Sequence, residues 1–362
     1  MRVLYLNERD MINAGVEDMY ECISAMEKMF VLLSKDDFRM SGKNHNDHGA
    51  RVTFPENTDI PNMPTSAPDR WFSAMPAYLG GEFHAFGIKS YGGNHENSKR
   101  NLPYLMLMMQ LLDVDSGAPL AYMSANLLSS MRTGAVAGVG AKYLSPRGAN
   151  TVSILGPGVQ SLYALKAILV AQPDLKNLKV LGRGKDSLDK FIREVKNDYD
   201  LEIQVCKSVE ELYSDADIVF TGNSRANSFD AHPFCDEKWI KPGSLVIASS
   251  AVRYNRDYLN SDDVFLVADD DLMYEDGLSV DGIPVSEEAK KTVTVNGFIN
   301  ESLKSNKKIV NIGDIINSND KVDRSCKNVF YGAYGLPTED VAWAYICYQN
   351  ALKKGIGTWL DL

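Results

Sequence analysis

Thr151-Val-Ser-Ile-Leu-Gly-Pro-Gly-Val-Gln-Ser161 decides the fold class of this chain. Val152 to Leu155, broken only by Ser153, reads as a strand. Gly156-Pro157-Gly158 reads as a tight turn, and Leu162, Leu165, Ile168 and Leu169 mark a helix that starts at once. In such a strand–turn–helix, Gly156 permits the sharp turn and Gly158 leaves room for a pyrophosphate beside the backbone. The N–H groups opening the helix attract the anion, and Ser161 stands where a third small residue belongs. A turn with no ligand gives the same short pattern, so context has to weigh in. The next strand, Leu178-Lys-Val-Leu181, follows after about one crossover, the spacing of a βαβ mononucleotide unit. Its tip is Gly182-Arg183-Gly184-Lys185, where NAD-using folds carry an acid for the ribose hydroxyls. Arg183 and Lys185 suit a 2′-phosphate, which favours NADP(H) and leaves NAD(H) possible; two solvated loop charges are the plain alternative.

The chain's 362 residues are enough for two domains with full cores, and 44% hydrophobic residues is ordinary for a globular protein. A net charge of −10 argues against nucleic acid or an anionic membrane as partner. Cys22, Cys206, Cys235, Cys326 and Cys347 are scattered and odd in number, which suggests neither a disulfide framework nor a zinc cluster and fits a reducing cytoplasm. The start, Met1-Arg-Val-Leu-Tyr-Leu-Asn7, reads as a strand, so neither a signal peptide nor a membrane span is expected.

In chain order, Asn7 reads as a helix cap, and Val16 to Ser34 carries an apolar stripe of Met19, Ile23, Met26, Met29, Phe30 and Leu33. His45, Asp47 and His48 share a polar loop that lacks further ligands for a metal. From Arg51 to Met123, short β-like runs alternate with turns, as in an antiparallel or mixed sheet. Lys89 lies inside one apolar run; it either meets a carboxylate or substrate, or reaches out of a strand edge. Asn126 to Leu144 is a helix of small residues with Arg132 among them, placed to hold a carboxylate or to form an internal ion pair. Beyond the glycine-rich turn come further strands at Ile203 to Cys206, Ala216 to Gly222, Ser244 to Ala248 and Asp263 to Ala268. Ligands meet such sheets at strand ends, which singles out Thr221, Asn223, Ser224, Ser249 and Ser250. The last helix, Glu339 to Lys353, is expected to pack on the first domain.

Together these segments resemble the ornithine cyclodeaminase/mu-crystallin family over nearly the full length. The carriers are Met75-Pro-Ala-Tyr78, Gly87-Ile-Lys89, Ser130-Met-Arg-Thr-Gly-Ala135, Ile154 to Gln160, Asn311-Ile-Gly-Asp314 and Gly335-Leu-Pro-Thr-Glu-Asp340. Gly87 to Asn101 and the ending Tyr345 to Leu362 look most like its N-(2-amino-2-carboxyethyl)-glutamate dehydrogenase branch. The resemblance implies a Rossmann-type doubly wound parallel sheet over 129–319, and a split α+β substrate-binding and dimerisation domain over 1–128 and 320–362. It also implies a homodimer, and a substrate faced by Arg51, Lys89 and Arg132 with Met75 beside them. Lys89 and Arg132 are the catalytic candidates. Gly156, Pro157, Gly158, Val159, Gln160 and Arg183 are the cofactor candidates, together with the strand-end residues above.

One departure carries weight. Cyclodeaminases of this family have an aspartate just after the strand Leu245 to Ala248, where this chain has Ala251 between Ser250 and Val252. Hydride transfer does not require that carboxylate, whereas ring closure of ornithine does. The expectation is an NAD(P)-dependent oxidoreductase acting on the C–N bond of an amino acid or an opine-like N-(carboxyalkyl) amino acid. Ornithine cyclodeaminase and a non-catalytic NADPH-binding protein are the rivals.

Overall fold

A computed structural model of the chain describes all residues except 43–47, 67–69, 225–227, 272–288, 304–306, 319–321 and 323–326. Of the sequence expectations, His45, Asp47 and Cys326 lie outside the described residues. The fold divides into two units, Met1–Arg132 with Leu336–Leu362, and Thr133–Gly335.

The first unit opens with β1 (Arg2–Leu6), α1 (Glu8–Ala14) and α2 (Met19–Leu33). Asn7 accepts the N–H of Asp10 at 3.0 Å, and the Asp10 carboxylate answers the Asn7 N–H at 3.2 Å. Gly15, at φ 98°, ends this short helix, so the stripe starting at Val16 belongs to a separate element. Then come β2 (Phe38–Met40), β3 (Ala50–Thr53), β4 (Trp71–Leu79), β5 (Ala85–Gly93), β6 (Leu105–Asp113), β7 (Pro119–Ser124) and α3 (Asn126–Leu144). The strands β4, β5, β6 and β7 pair antiparallel in sequence, while β7 and β1 are parallel, so the sheet is mixed.

The second unit alternates β8 (Thr151–Leu155), α4 (Val159–Ala171), β9 (Asn177–Leu181), α5 (Lys185–Asp198), β10 (Glu202–Val205), α6 (Val209–Tyr213) and β11 (Ile218–Thr221). It continues through β12 (Phe234–Cys235), β13 (Leu245–Ala248), β14 (Arg253–Asn255), α7 (Arg256–Asn260), β15 (Val264–Ala268), β16 (Thr292–Val293) and α8 (Val295–Ser302). β17 (Ile309–Asn311), α9 (Ile312–Ser318) and β18 (Asn328–Gly332) complete it. The large sheet runs β10-β9-β8-β11-β13-β18-β15-β17, with every pairing parallel. Every residue of β11, β13 and β18 is buried, as expected of parallel strands covered on both faces. Strand order reverses between β8 and β11, the switch point where such sheets bind nucleotides. β18 hydrogen-bonds between β13 and β15, so this unit reaches Gly335 rather than stopping at 319. At the other boundary, α3 stays with the first unit as far as Arg132 rather than leaving it at 128.

The chain then returns to the first unit with α10 (Pro337–Lys354) and β19 (Thr358–Asp361). α10 lies against α1, α2, β4 and β5, and the Trp343 indole N–H donates to the Val16 carbonyl at 3.2 Å. β19 adds antiparallel to β1 at the sheet edge.

Candidate functional site

Two arrangements, one in each unit, carry the chemistry. In the second unit, Gly156 adopts φ 85°, and its N–H bonds the Leu181 carbonyl at 2.8 Å. A side chain there would fail on two counts: the left-handed backbone, and a Cβ only 2.5 Å from Asn223 Cα. At Gly158 an added Cβ would meet nothing within 4 Å. Its backbone is extended (φ −110°, ψ −177°), so the missing side chain leaves open space at the start of α4. The Ser161 hydroxyl donates to the Gly156 carbonyl at 2.5 Å and packs where a Cβ on Gly222 would lie 2.3 Å away, which explains the need for a small residue.

A cavity of about 480 Å³ opens here, lined by Gly156, Pro157, Gly158, Arg183, Asn223 and Ser224 among others. Val159 and Gln160 form the first turn of α4, next to the cavity wall. Thr221, Asn223 and Ser250 tie the ends of β11 and β13 together. The Thr221 hydroxyl donates to the Ser250 carbonyl at 3.2 Å, the Asn223 N–H donates to Ser250 Oγ at 3.0 Å, and the Asn223 amide donates to the Ala251 carbonyl at 3.0 Å. Of these three, Asn223 also faces the cavity, while Thr221 and Ser250 shape it from behind; Ser249 is half-buried. Arg183 is exposed at the cavity rim, with Ser187 one turn into α5. This cradle fits a dinucleotide: there is space where a Cβ would stand, a helix start to receive an anion, and a cation at the tip of β9.

The first unit holds a buried cluster of charges. Lys89 is central on β5, opposite Met75 of β4 and Met109 of β6, and is 2% exposed. It is therefore no strand-edge lysine. Its Nζ lies 2.6 Å from Asp340 Oδ2 and donates to Ser129 Oγ at 3.4 Å. Arg132 donates from Nε to Asp340 Oδ1 at 2.9 Å and from Nη1 to Glu339 Oε2 at 2.5 Å. Glu339 Oε1 also accepts the Leu336 N–H at 2.9 Å, capping α10. Two buried cations thus face two buried carboxylates, and the internal ion pair open for Arg132 on sequence grounds is present. Burial opposes charge on Arg132, but Asp340 and Glu339 hold its pKa above the ordinary value. Burial, then the Arg132 guanidinium, pull Lys89 from 10.5 down to about 8 against the opposing pull of Asp340.

Strand register carries the cluster outward. Arg51 sits opposite Ser73 and Lys89 opposite Met75; Ser73 and Met75 are two residues apart on β4, so all four share one face. The Arg51 guanidinium lies over the Trp71 ring at 4.1 Å, Trp71 meets Tyr91 edge-on at 5.1 Å, and Lys89 Nζ lies 5.4 Å from the Tyr91 ring. An aromatic floor therefore joins exposed Arg51 to buried Lys89. Met75, on this face, is 1% exposed and packs beside Lys89. Sequence reasoning missed Glu339, Asp340, Trp71 and Tyr91. Pro337 and the two acids signal a helix start, and nothing local shows that they face a lysine.

No group of three or more His, Cys, Asp or Glu able to hold a metal occurs among the described residues, and no described helix is long and apolar enough to cross a membrane. Cys22, Cys206, Cys235 and Cys347 are buried free thiols.

The sequence model of the ornithine cyclodeaminase/mu-crystallin family matches residues 16–355. The N-((2S)-2-amino-2-carboxyethyl)-L-glutamate dehydrogenase of Staphylococcus aureus is 26% identical over 99% of this chain and 98% of its own. Among solved structures, an archaeal alanine dehydrogenase dimer with bound NAD covers 100% of both chains at TM-score 0.77 and 23% identity. The Thermococcus litoralis Delta(1)-pyrroline-2-carboxylate reductase, solved with NADH and L-proline, covers 98% of this chain and 99% of its own at TM-score 0.76 and 22% identity.

Proposed function

The chain belongs to the ornithine cyclodeaminase/mu-crystallin family, and we propose that it works as an NAD(P)-dependent oxidoreductase on the C–N bond of an opine-like N-(carboxyalkyl) amino acid. The observation that carries this reading is the buried Lys89–Arg132–Glu339–Asp340 cluster, joined by the Tyr91–Trp71 floor to Arg51. Cations at both ends of an apolar floor suit a substrate with two carboxylates and a short chain between them.

The pyrophosphate of the cofactor would lie on Gly156, Pro157 and Gly158 and the amides that open α4, with Arg183 toward the adenosine ribose. That basic tip is the basis for favouring NADP(H) over NAD(H). The bound nicotinamide supplies the hydride chemistry. The chain's own residues do the rest. Arg132, with Nε and Nη1 committed to acids, offers Nη2 to the near carboxylate, and Arg51 takes the far one. Lys89 sits beside the nitrogen that becomes an imine. Ala251 leaves the β13 loop without a carboxylate, which weighs against cyclodeamination.

We also infer a homodimer. On the sheet face opposite Lys89, Phe72, Met106, Met108 and Tyr122 are exposed in adjacent register positions, an apolar patch for a second copy to cover.

The test follows absorbance at 340 nm with NADP⁺ and NAD⁺ in parallel, offering the glutamate adduct of 2,3-diaminopropionate, then alanine, lysine, arginine and ornithine. Reduction with one of them, lost in Lys89→Met while NADPH binding persists, is the expected result. Equal loss of turnover and NADPH binding in that variant removes Lys89 from the substrate side. Ammonia from ornithine with no absorbance change identifies a cyclodeaminase instead.

A further inference from the structure

Four carboxylate oxygens enter the buried cluster, and three have aligned donors: Glu339 Oε1 from Leu336, Glu339 Oε2 from Arg132, and Asp340 Oδ1 from Arg132. The fourth, Asp340 Oδ2, is fully buried and pairs with Lys89 Nζ at 2.6 Å. The ammonium is held there at close range, and it also donates to Ser129 Oγ at 3.4 Å. Asp340 itself cannot swing, because α10 fixes its backbone and Arg132 fixes Oδ1.

We propose that Asp340 is the positioning carboxylate that makes Lys89 a two-way proton shuttle for the carbon–nitrogen bond. This rests on the substrate reading above. In the oxidative direction, hydride loss leaves an iminium, C=N⁺–H, and water adds to its carbon: the O–C bond forms, the C=N π pair moves to nitrogen and neutralises it, and one water proton passes to neutral Lys89 Nζ. Asp340 Oδ2 holds the resulting ammonium. Lys89 returns that proton to the nitrogen, the C–N bond breaks with its electron pair going to nitrogen while the hydroxyl O–H pair closes the C=O bond, and the hydroxyl proton passes through Lys89 to the departing amine, which leaves as an ammonium beside the carbonyl product. Lys89 ends as it began.

The groups facing Lys89 are Arg132 and Ser129 from α3, Asp340 and Glu339 from α10, and Tyr91 on its own strand; Met75 and Met109 flank it without charge. Cys22 of α2 lies near Glu339 and Arg132, and burial holds it as a thiol. Asp340 raises the Lys89 pKa more than Glu339 does, so its removal drops the midpoint further below about 8.

The experiment titrates the full-length protein with ¹³C-labelled lysine, following the Lys89 Cε resonance assigned through Lys89→Met, alongside pH profiles of oxidation and reduction. In wild type the oxidative rate rises with pH through the Lys89 midpoint and the reductive rate falls through it. Asp340→Asn moves the resonance midpoint and both limbs to lower pH together, by about one unit or more, and lowers the plateau rate about 100-fold. Glu339→Gln, which removes an equally buried carboxylate bonded to Arg132 instead, moves the midpoint less. If Asp340→Asn fails to fold, Asp340→Glu keeps the charge and retains the wild-type midpoint. An unmoved midpoint in Asp340→Asn, a shift in Asp340→Glu, or an equal shift in Glu339→Gln overturns the proposal. A wild-type protein that oxidises nothing offered, while its Lys89 titration responds to Asp340→Asn, counts against the substrate reading and leaves the coupling supported.

Discussion

Gly156 and Gly158 are two residues apart in one turn, and the structure gives them opposite reasons for being glycine. At Gly158 a side chain has open space and an ordinary extended backbone, so Gly158→Val should leave the free protein close to wild type. The valine restricts the unfolded chain, which offsets a weaker helix cap, and the net change is expected within about 1 kcal/mol. At Gly156 an alanine has to adopt φ 85° and press on the Asn223 backbone at 2.5 Å. Left-handed backbone costs about 1–2 kcal/mol, and the overlap adds a similar amount, for a loss of about 2–4 kcal/mol.

Cofactor binding should reverse that order of importance. In the proposed cofactor pose the pyrophosphate takes the space beside Gly158, so valine there should displace the anion from the amides of α4. Losing one charge-assisted hydrogen bond is worth about 1.5–3 kcal/mol, or roughly 10- to 150-fold in Kd. The assays are thermal denaturation of the free protein and fluorescence titration with NADPH and NADH. Gly158→Val should melt with wild type and bind both cofactors weakly, whereas Gly156→Ala should melt early. Wild-type affinity in Gly158→Val would falsify the pyrophosphate assignment, because no other role for that empty space is visible.

Arg183→Ala should weaken NADPH about 10-fold and leave NADH unchanged, the low end for a charged hydrogen bond because Arg183 is exposed and screened. Equal weakening of both cofactors in the same titration sinks the NADP(H) preference. Met108→Asp puts a charge in the centre of the exposed apolar face of the first sheet and should shift the protein to monomers in sedimentation velocity. A dimer that survives the change locates its interface elsewhere.

Elements whose signal is local were legible in the sequence. The stretch from Thr151 contains a whole strand, turn and helix start, and the helix at Asn126–Leu144 has the bounds its composition suggests. β18 was not legible: Asn328-Val-Phe-Tyr-Gly332 carries no turn–helix signature beside it, and only its place between β13 and β15 shows that it is a central strand. β19 was overlooked as well, since Thr358 to Asp361 is exposed throughout and owes its strand form to pairing with β1. At the candidate site, the cations were visible as charges in apolar surroundings, while the acids that answer them looked like ordinary residues of a helix start. Arg132 and Asp340 are 208 positions apart, a separation no local pattern spans.

That separation has a physical consequence for how the site is made. Lys89 and Arg132 are placed by a sheet and a helix that precede the nucleotide unit, whereas Glu339 and Asp340 arrive on the segment that follows it. Burying either cation without its counterion costs about 3–5 kcal/mol, a large part of the roughly 5–15 kcal/mol by which a typical domain is stable. Closing the first unit over Lys89 is therefore favoured once α10 docks, and docking delivers the charge balance and the cluster geometry in one event. The αN-terminal carboxylates are held for that purpose twice over: Pro337 starts the helix, and Glu339 caps it while gripping Arg132. With Glu339 spent on the cap and on Arg132, and Asp340 Oδ1 spent on Arg132, Asp340 Oδ2 is the carboxylate oxygen left to pair with Lys89 and to oppose the pull of burial and of Arg132 on its charge.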